Sequence, residues 1–112
     1  MKEISGTIQY NGKEYKLSYN LNVMEIIQEK YGTLEEWGRQ LFDGEPKVSA
    51  ILFGFRAMLN ESIEIDNEAN GTDIPLLTEK QVGRLITSYG LQRATDELLA
   101  TVNKSTESQE KN

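Results

Sequence analysis

The chain of 112 residues contains neither cysteine nor histidine. Without cysteine it has no disulfide, no thiolate nucleophile and no sulfur ligand for a metal. Without histidine it lacks the commonest general base and the commonest metal ligand. An enzyme would depend on carboxylates, lysine, tyrosine or serine, yet there is no Gly-x-Ser-x-Gly elbow and no phosphate-binding glycine loop. We therefore expect no catalysis, no metal and no cofactor.

Long apolar runs and basic clusters are also missing. The longest apolar stretch, residues 50–55, is far shorter than the roughly 20 residues that span a membrane. The first residues contain no apolar run after the first charge, so they do not resemble a signal peptide. The formal net charge is −6 and the 12 basic residues are scattered, whereas nucleic-acid binding usually requires a basic patch. These features predict a cytoplasmic protein that binds neither membranes nor nucleic acid.

Residues 4–21 have the pattern of a β-hairpin. Apolar residues alternate with polar ones on both sides of Asn11-Gly12, which is the strongest short signal for a type I′ turn. A turn at these two residues predicts three cross-strand pairs: Ile8 with Tyr15, Gly6 with Leu17, and Ile4 with Tyr19. The apolar residues then share one face, which we expect to pack on the helices that follow.

Residues 22–103 have helical periodicity and predict about five short helices. Residues with the spacing of a capping box begin three of them, namely Asn22 with Glu25, Thr33 with Glu36, and Thr78 with Gln81. Gly32 and Gly90 end the first and fourth helices. The third helix covers about 47–60 and carries the widest apolar stripe, which makes it the central core helix.

Two segments are predicted to be irregular. Residues 61–75 contain several acids and no base, and we expect a loop there; residues 66–71 suggest a calcium loop, but Leu77 stands where a bidentate glutamate is required. Residues 104–112 lack an apolar period and predict a disordered tail. The predicted fold is α+β and mainly α, with one domain over 1–103 (hairpin 4–21, helices 22–103).

The back of the third helix allows two interpretations. Phe53 lies there beside the small residues Ala50, Gly54 and Ala57. Either this helix is buried on most sides, or the strip is an exposed apolar patch for a partner. Both interpretations stay open at this point.

The last two helices have the spacing of a helix-turn-helix. At the start of the second of these helices, Gln92 and Arg93 could contact bases. Asp96 and Glu97 follow them and would face phosphates, which argues against DNA binding. A small acidic regulator therefore remains an alternative.

Three strings along the chain carry a family resemblance. The first is Tyr19-Asn20-Leu21-Asn22 followed by the residues 27–36, IQEKYGTLEE. The second is ILFGF at 51–55 leading into MLNE at 58–61, and the third is LTEKQVGRLI at 77–86. In this order they resemble the tail assembly chaperones of long-tailed phages and prophages of Gram-positive bacteria.

The resemblance implies a non-virion protein that binds the apolar, helical tape measure protein, keeps it soluble and helps to recruit the tail tube protein. The expected binding mode is helix-in-groove or helix-on-helix. We expect the contact surface to be Phe53 with Ala50, Gly54 and Ala57, together with Trp37. A head–tail connector-type virion protein is a further alternative, and homo-oligomerisation stays open.

Overall fold

The computed structural model describes residues 5–110, with side chains described for 6–104. It confirms the predicted fold class, α+β and mainly α, with a two-stranded hairpin followed by five helices. The elements are β1 (Ser5–Tyr10), β2 (Lys13–Ser18), α1 (Leu21–Tyr31), α2 (Leu34–Phe42), α3 (Val48–Asn70), α4 (Glu79–Tyr89) and α5 (Leu91–Glu110).

The hairpin has the predicted turn and register. Asn11 and Gly12 take φ values of 52° and 74°, as a type I′ turn requires. Ile8 pairs with Tyr15, and Gly6 pairs with Leu17. The third predicted pair involves Ile4, which lies outside the described residues. Ile8 and Leu17 are fully buried, so the apolar face of the ribbon does pack on the helices.

The helix caps at Thr33 and Thr78 are confirmed, but the predicted cap at Asn22 is wrong. Asn20 is the N-cap of α1, and its side chain accepts a hydrogen bond from Val23 N at 3.2 Å. The Asn22 amide instead donates to Glu61 Oε2 of α3 at 3.1 Å. The sequence offered two asparagines with capping ability. The contact with α3 decided how each of them is used.

The third helix is longer than predicted, because α3 continues through the acid-rich segment to Asn70. The prediction of a loop from residue 61 onward is therefore wrong for 61–70. The helix continues because its inner face still has contacts there: Ser62 is buried and its hydroxyl hydrogen-bonds the Ser18 hydroxyl at 2.5 Å. Gly71, with φ 66°, ends the helix in the left-handed conformation that glycine favours.

The last helix also differs from its predicted end near Asn103, because the backbone of α5 is helical as far as Glu110. Residues 104–110 contain neither glycine nor proline. Extending an existing helix avoids the cost of nucleation, so no apolar period is needed for a few further residues. Residues 111–112 lie outside the described residues.

The buried side chains form one cluster to which the hairpin and all five helices contribute. Its centre is α3, where Phe55, Met58 and Leu59 are almost completely buried. At the edge of this core α5 crosses β1 so closely that a Cβ on Gly6 would lie 2.6 Å from Thr101 Oγ1. Within the described part of the chain, no helix has the length and apolar character that crossing a membrane demands.

Candidate partner-binding groove

Three of the five residues predicted to bind a partner lie in the core. Ala50 and Gly54 are buried, and Trp37 is only 3% exposed. The indole of Trp37 lies directly on Gly54, where an added Cβ would be 3.2 Å from Cε2 and closer still to Cζ2. Its Nε1 donates to the Ala50 carbonyl at 3.1 Å. For this part of the strip the prediction of an exposed patch is wrong, because the small residues make room for the tryptophan of α2.

The other two predicted residues, Phe53 and Ala57, are half-buried and reach the surface. They form the floor of a groove of about 250 Å³, which Ile26 from α1 and Leu76 from the segment that joins α3 to α4 line on its two sides. Ile26 is 41% exposed and Leu76 46% exposed. The groove is therefore an apolar depression with two apolar walls that remain accessible.

The first wall is α1, which runs antiparallel to α3 along the groove. Asn22, at the start of α1, hydrogen-bonds Glu61 of α3. Lys30, near its end, places Nζ 5.8 Å from the centroid of the Phe53 ring. Tyr31 meets the same ring edge to face, with centroids 5.7 Å apart. Since Ile26 lies midway between Asn22 and Lys30, its side chain is placed over the middle of the groove.

The second wall is the segment of residues 71–77, here called the strap, which two asparagines of α3 hold in place. The Asn60 amide accepts from Leu77 N at 2.8 Å and donates to Leu77 O at 3.1 Å. The Asn67 amide makes the same pair of bonds with Ile74, at 2.9 and 3.0 Å. Each amide thus pairs with the backbone of one strap residue as a neighbouring strand would, and the strap brings Leu76 to the groove.

Charged side chains line the two halves of the groove. Arg56 lies in the half that contains Phe53, and Glu61 and Glu64 lie in the other half. Lys30 is not part of the lining, but its Nζ lies beside the Phe53 ring at the first of these ends. Glu61 also accepts from the Asn20 amide at 2.7 Å. Among the described residues no group of three or more acidic side chains is placed to hold a metal ion. An apolar floor with charges at both ends suits the binding of apolar side chains from a partner.

Sequence reasoning found part of this groove. Phe53 and Ala57 were predicted, whereas Ile26 and Leu76 were missed. Ile26 has the periodicity of a core residue, and Leu76 falls in a segment that the acids made look like an open loop. A usable signal was the seven-residue spacing of Asn60 and Asn67, which places both amides on one face of a helix.

The two side chains that the helix-turn-helix alternative would use to contact bases, Gln92 and Arg93, bind other residues of this chain. The Arg93 guanidinium lies over the ring of Tyr89, 4.3 Å from its centroid. Gln92 Nε2 donates to Asp96 Oδ1 at 3.1 Å. The side chains that the helix-turn-helix alternative would use for bases are therefore engaged inside α5 and with the end of α4.

Two tyrosines have perturbed titration. Burial raises the pKa of Tyr19, which lies in the core, and also raises the pKa of Tyr31 beside Phe53. Both side chains stay neutral at physiological pH, so they contribute contact area to their surroundings rather than charge.

Comparisons with protein-family models, with curated proteins and with solved structures yield no significant match to this chain.

Proposed function

We propose that the chain is a tail assembly chaperone of a long-tailed phage or prophage. It binds the tape measure protein in the bacterial cytoplasm, keeps it soluble and helps to recruit the tail tube protein. The observation that carries the proposal is the groove between α1, α3 and the strap. The three strings that resemble the chaperone family support it, since each of them contributes residues to this region or to the caps of its helices.

The shape of the groove suits an amphipathic helix. Its floor follows α3 from Phe53 through Ala57, one turn apart, so it can accept side chains that recur every three or four residues. Ile26 and Leu76 flank the floor and leave apolar area in contact with water in the free protein. Covering that area contributes roughly 25 cal/mol per Å² of apolar surface removed from water. A tape measure helix with an exposed apolar stripe would supply this cover.

The charge of the chain suits a chaperone that must keep an apolar client dispersed. With a formal net charge of −6, the complex would retain a repulsive surface while the apolar stripe of the client is covered. Binding, rather than chemistry, is the role that such a surface supports.

The decisive experiment is co-expression with the tape measure protein of the same phage, followed by size-exclusion chromatography of the soluble fraction. We expect the client to be soluble only with the chaperone and to elute with it. A client that stays insoluble, or a chain that elutes alone, would refute the proposed function.

Matched variants locate the binding surface. Ile26→Glu places a charge in the groove. Ile65→Glu is the control, because Ile65 is 43% exposed, close to the 41% of Ile26, but does not line the groove. We expect Ile26→Glu and Phe53→Glu to lose the client and Ile65→Glu to retain it. If Phe53→Glu unfolds, Phe53 is a core residue, and the comparison of Ile26→Glu with Ile65→Glu decides whether the client binds in the groove. Client binding that survives Ile26→Glu would show that the groove is not the site.

A further inference from the structure

Resting on the proposed function, we infer that the groove selects its occupant by charge polarity. The occupant is an amphipathic helix with basic residues at one end, over Glu61 and Glu64, and acidic residues at the other end, over Lys30 and Arg56. This goes beyond the covering of an apolar stripe, because it specifies the charge pattern that accompanies the stripe.

The charges along α3 change sign from one end of the groove to the other. Arg56 and Glu64 are eight residues apart on one helix, which corresponds to about 12 Å along its axis. At that separation they cannot pair with each other. Where α3 faces α1 the order is the same: Lys30 of α1 lies beside Phe53, and Glu61 of α3 lies beside Asn22 at the other end of α1. Both sides of the groove therefore change from positive to negative in the same direction.

These four charged groups have no oppositely charged partner within the described residues. Among the side chains of residues 6–104, the ion pair observed is Arg39 with Glu36 of α2, at 3.4 Å. Glu61 accepts hydrogen bonds from two asparagine amides, which are neutral and leave its charge uncompensated. Lys30 faces an aromatic ring. A helix lying in the groove can supply the opposite charge to all four groups at once.

The length of the groove sets the size of the occupant. The α3 residues that line the groove extend from Phe53 to Glu64, a separation of eleven residues or about 16 Å, which equals about three turns of an opposing helix. Over that length an apolar stripe has room for three or four side chains, with a charged turn at each end. Charges at the rim of an interface mainly set specificity, orientation and association rate. The polarity of the groove thus fixes which end of the occupant lies where, whatever the direction of its chain.

The test uses synthetic helical peptides of about 14 residues that share one leucine and alanine stripe and one composition. One peptide has its lysines in the first turn and its glutamates in the last, a second has the reverse order, and a third has the same charges interleaved. We expect both segregated peptides to bind at least about tenfold more tightly than the interleaved one, since like-charge contacts replace favourable ones. Affinity is measured by isothermal titration calorimetry at low ionic strength.

Orientation is measured by paramagnetic relaxation in NMR spectra of the full chain. A nitroxide on the basic end of either segregated peptide should broaden the amide signals around Glu61 and Glu64. A nitroxide on the acidic end should broaden those around Lys30 and Arg56. In the double variant Arg56→Glu with Glu64→Arg each half of the groove is neutral, so the preference for segregated peptides should disappear while the total charge of the chain is unchanged.

The outcomes separate this inference from the proposed function. Equal affinity for all three peptides, or equal broadening from both ends, overturns the inference and leaves helix binding intact. Failure of all three peptides to bind also overturns it, whereas co-expression with the tape measure protein judges the proposed function independently. A preference that persists in the double variant shows that these charges are not its source, which overturns the inference as well.

Discussion

Replacing Gly54 by alanine should destabilise the protein, although the same change normally strengthens a helix. Gly54 lies inside α3, where alanine is favoured over glycine by about 1 kcal/mol. Here, however, the new methyl group would overlap the indole of Trp37, which is buried in the core. Forcing extra volume into a packed core costs about 1–3 kcal/mol.

A second cost arises if Trp37 moves. Its Nε1 donates to the Ala50 carbonyl at 3.1 Å, and a displaced indole would leave a buried N–H without a partner. Such a group costs about 1–3 kcal/mol. If the indole is displaced, the two costs less the gain of about 1 kcal/mol in helix propensity give a net loss for Gly54→Ala of about 1–5 kcal/mol, against the 5–15 kcal/mol typical of a domain.

Gly38→Ala is the matched control. Gly38 lies inside α2, and nothing comes within 4 Å of the position of an added Cβ. We expect this variant to be more stable than the parent by about 0.5–1 kcal/mol. Stability is measured by urea unfolding followed by far-ultraviolet circular dichroism. The fluorescence of Trp37, the only tryptophan, reports separately on the local change. If Gly54→Ala is as stable as Gly38→Ala, Trp37 does not pack on Gly54 and the account of the small-residue strip is refuted.

Three further predictions concern the strap, the core tyrosine and the hairpin. Asn60→Ala should lower stability by about 1–3 kcal/mol in urea unfolding, because the backbone groups of Leu77 lose their partners; an unchanged midpoint would show that the strap does not depend on this amide. Burial raises the pKa of Tyr19, so on raising the pH the unfolded chain loses the phenol proton before the folded protein does. The contribution of the neutral Tyr19 to stability is therefore complete below the ordinary tyrosine pKa of about 10 and is lost as the pH rises through the higher pKa of the folded protein. Thermal unfolding from pH 7 to 11 should therefore show a smaller alkaline loss in Tyr19→Phe, and identical losses would contradict this. Gly6→Ala should lower the melting temperature, because the added methyl group would lie 2.6 Å from Thr101 Oγ1 of α5; a melting temperature at or above that of the parent would show that α5 can move away without cost.

Local signals predicted the elements whose conformation depends on neighbours in sequence. The type I′ turn at Asn11-Gly12 requires positive φ at both residues, and few other dipeptides permit it. The capping box of α4 is complete, because Thr78 and Gln81 bond each other's backbone whatever surrounds them. For such features the sequence and the structure agree.

Local signals failed where distant residues compete for the same groups. Asn20 and Asn22 are both capable N-caps, and Glu61, which binds both, lies 41 and 39 positions away from them along the chain. The acids of residues 61–70 suggested a loop, since a run of like charges has no apolar period. Their helix is held by contacts such as that between Ser62 and Ser18, which no periodicity could reveal.

The residues of the candidate site also fall into two groups, those that local sequence predicts and those that only packing reveals. The sequence by itself determined that Phe53 and Ala57 share a face of the central helix, because a helix repeats every 3.6 residues. The tertiary structure alone decided that Ala50 and Gly54 lie beneath Trp37, and that Ile26 and Leu76 flank Phe53. The order of charges along the groove was also decided there, since α1 runs antiparallel to α3. Helical faces follow from spacing along one segment, whereas the choice of which face is covered depends on how separate segments pack.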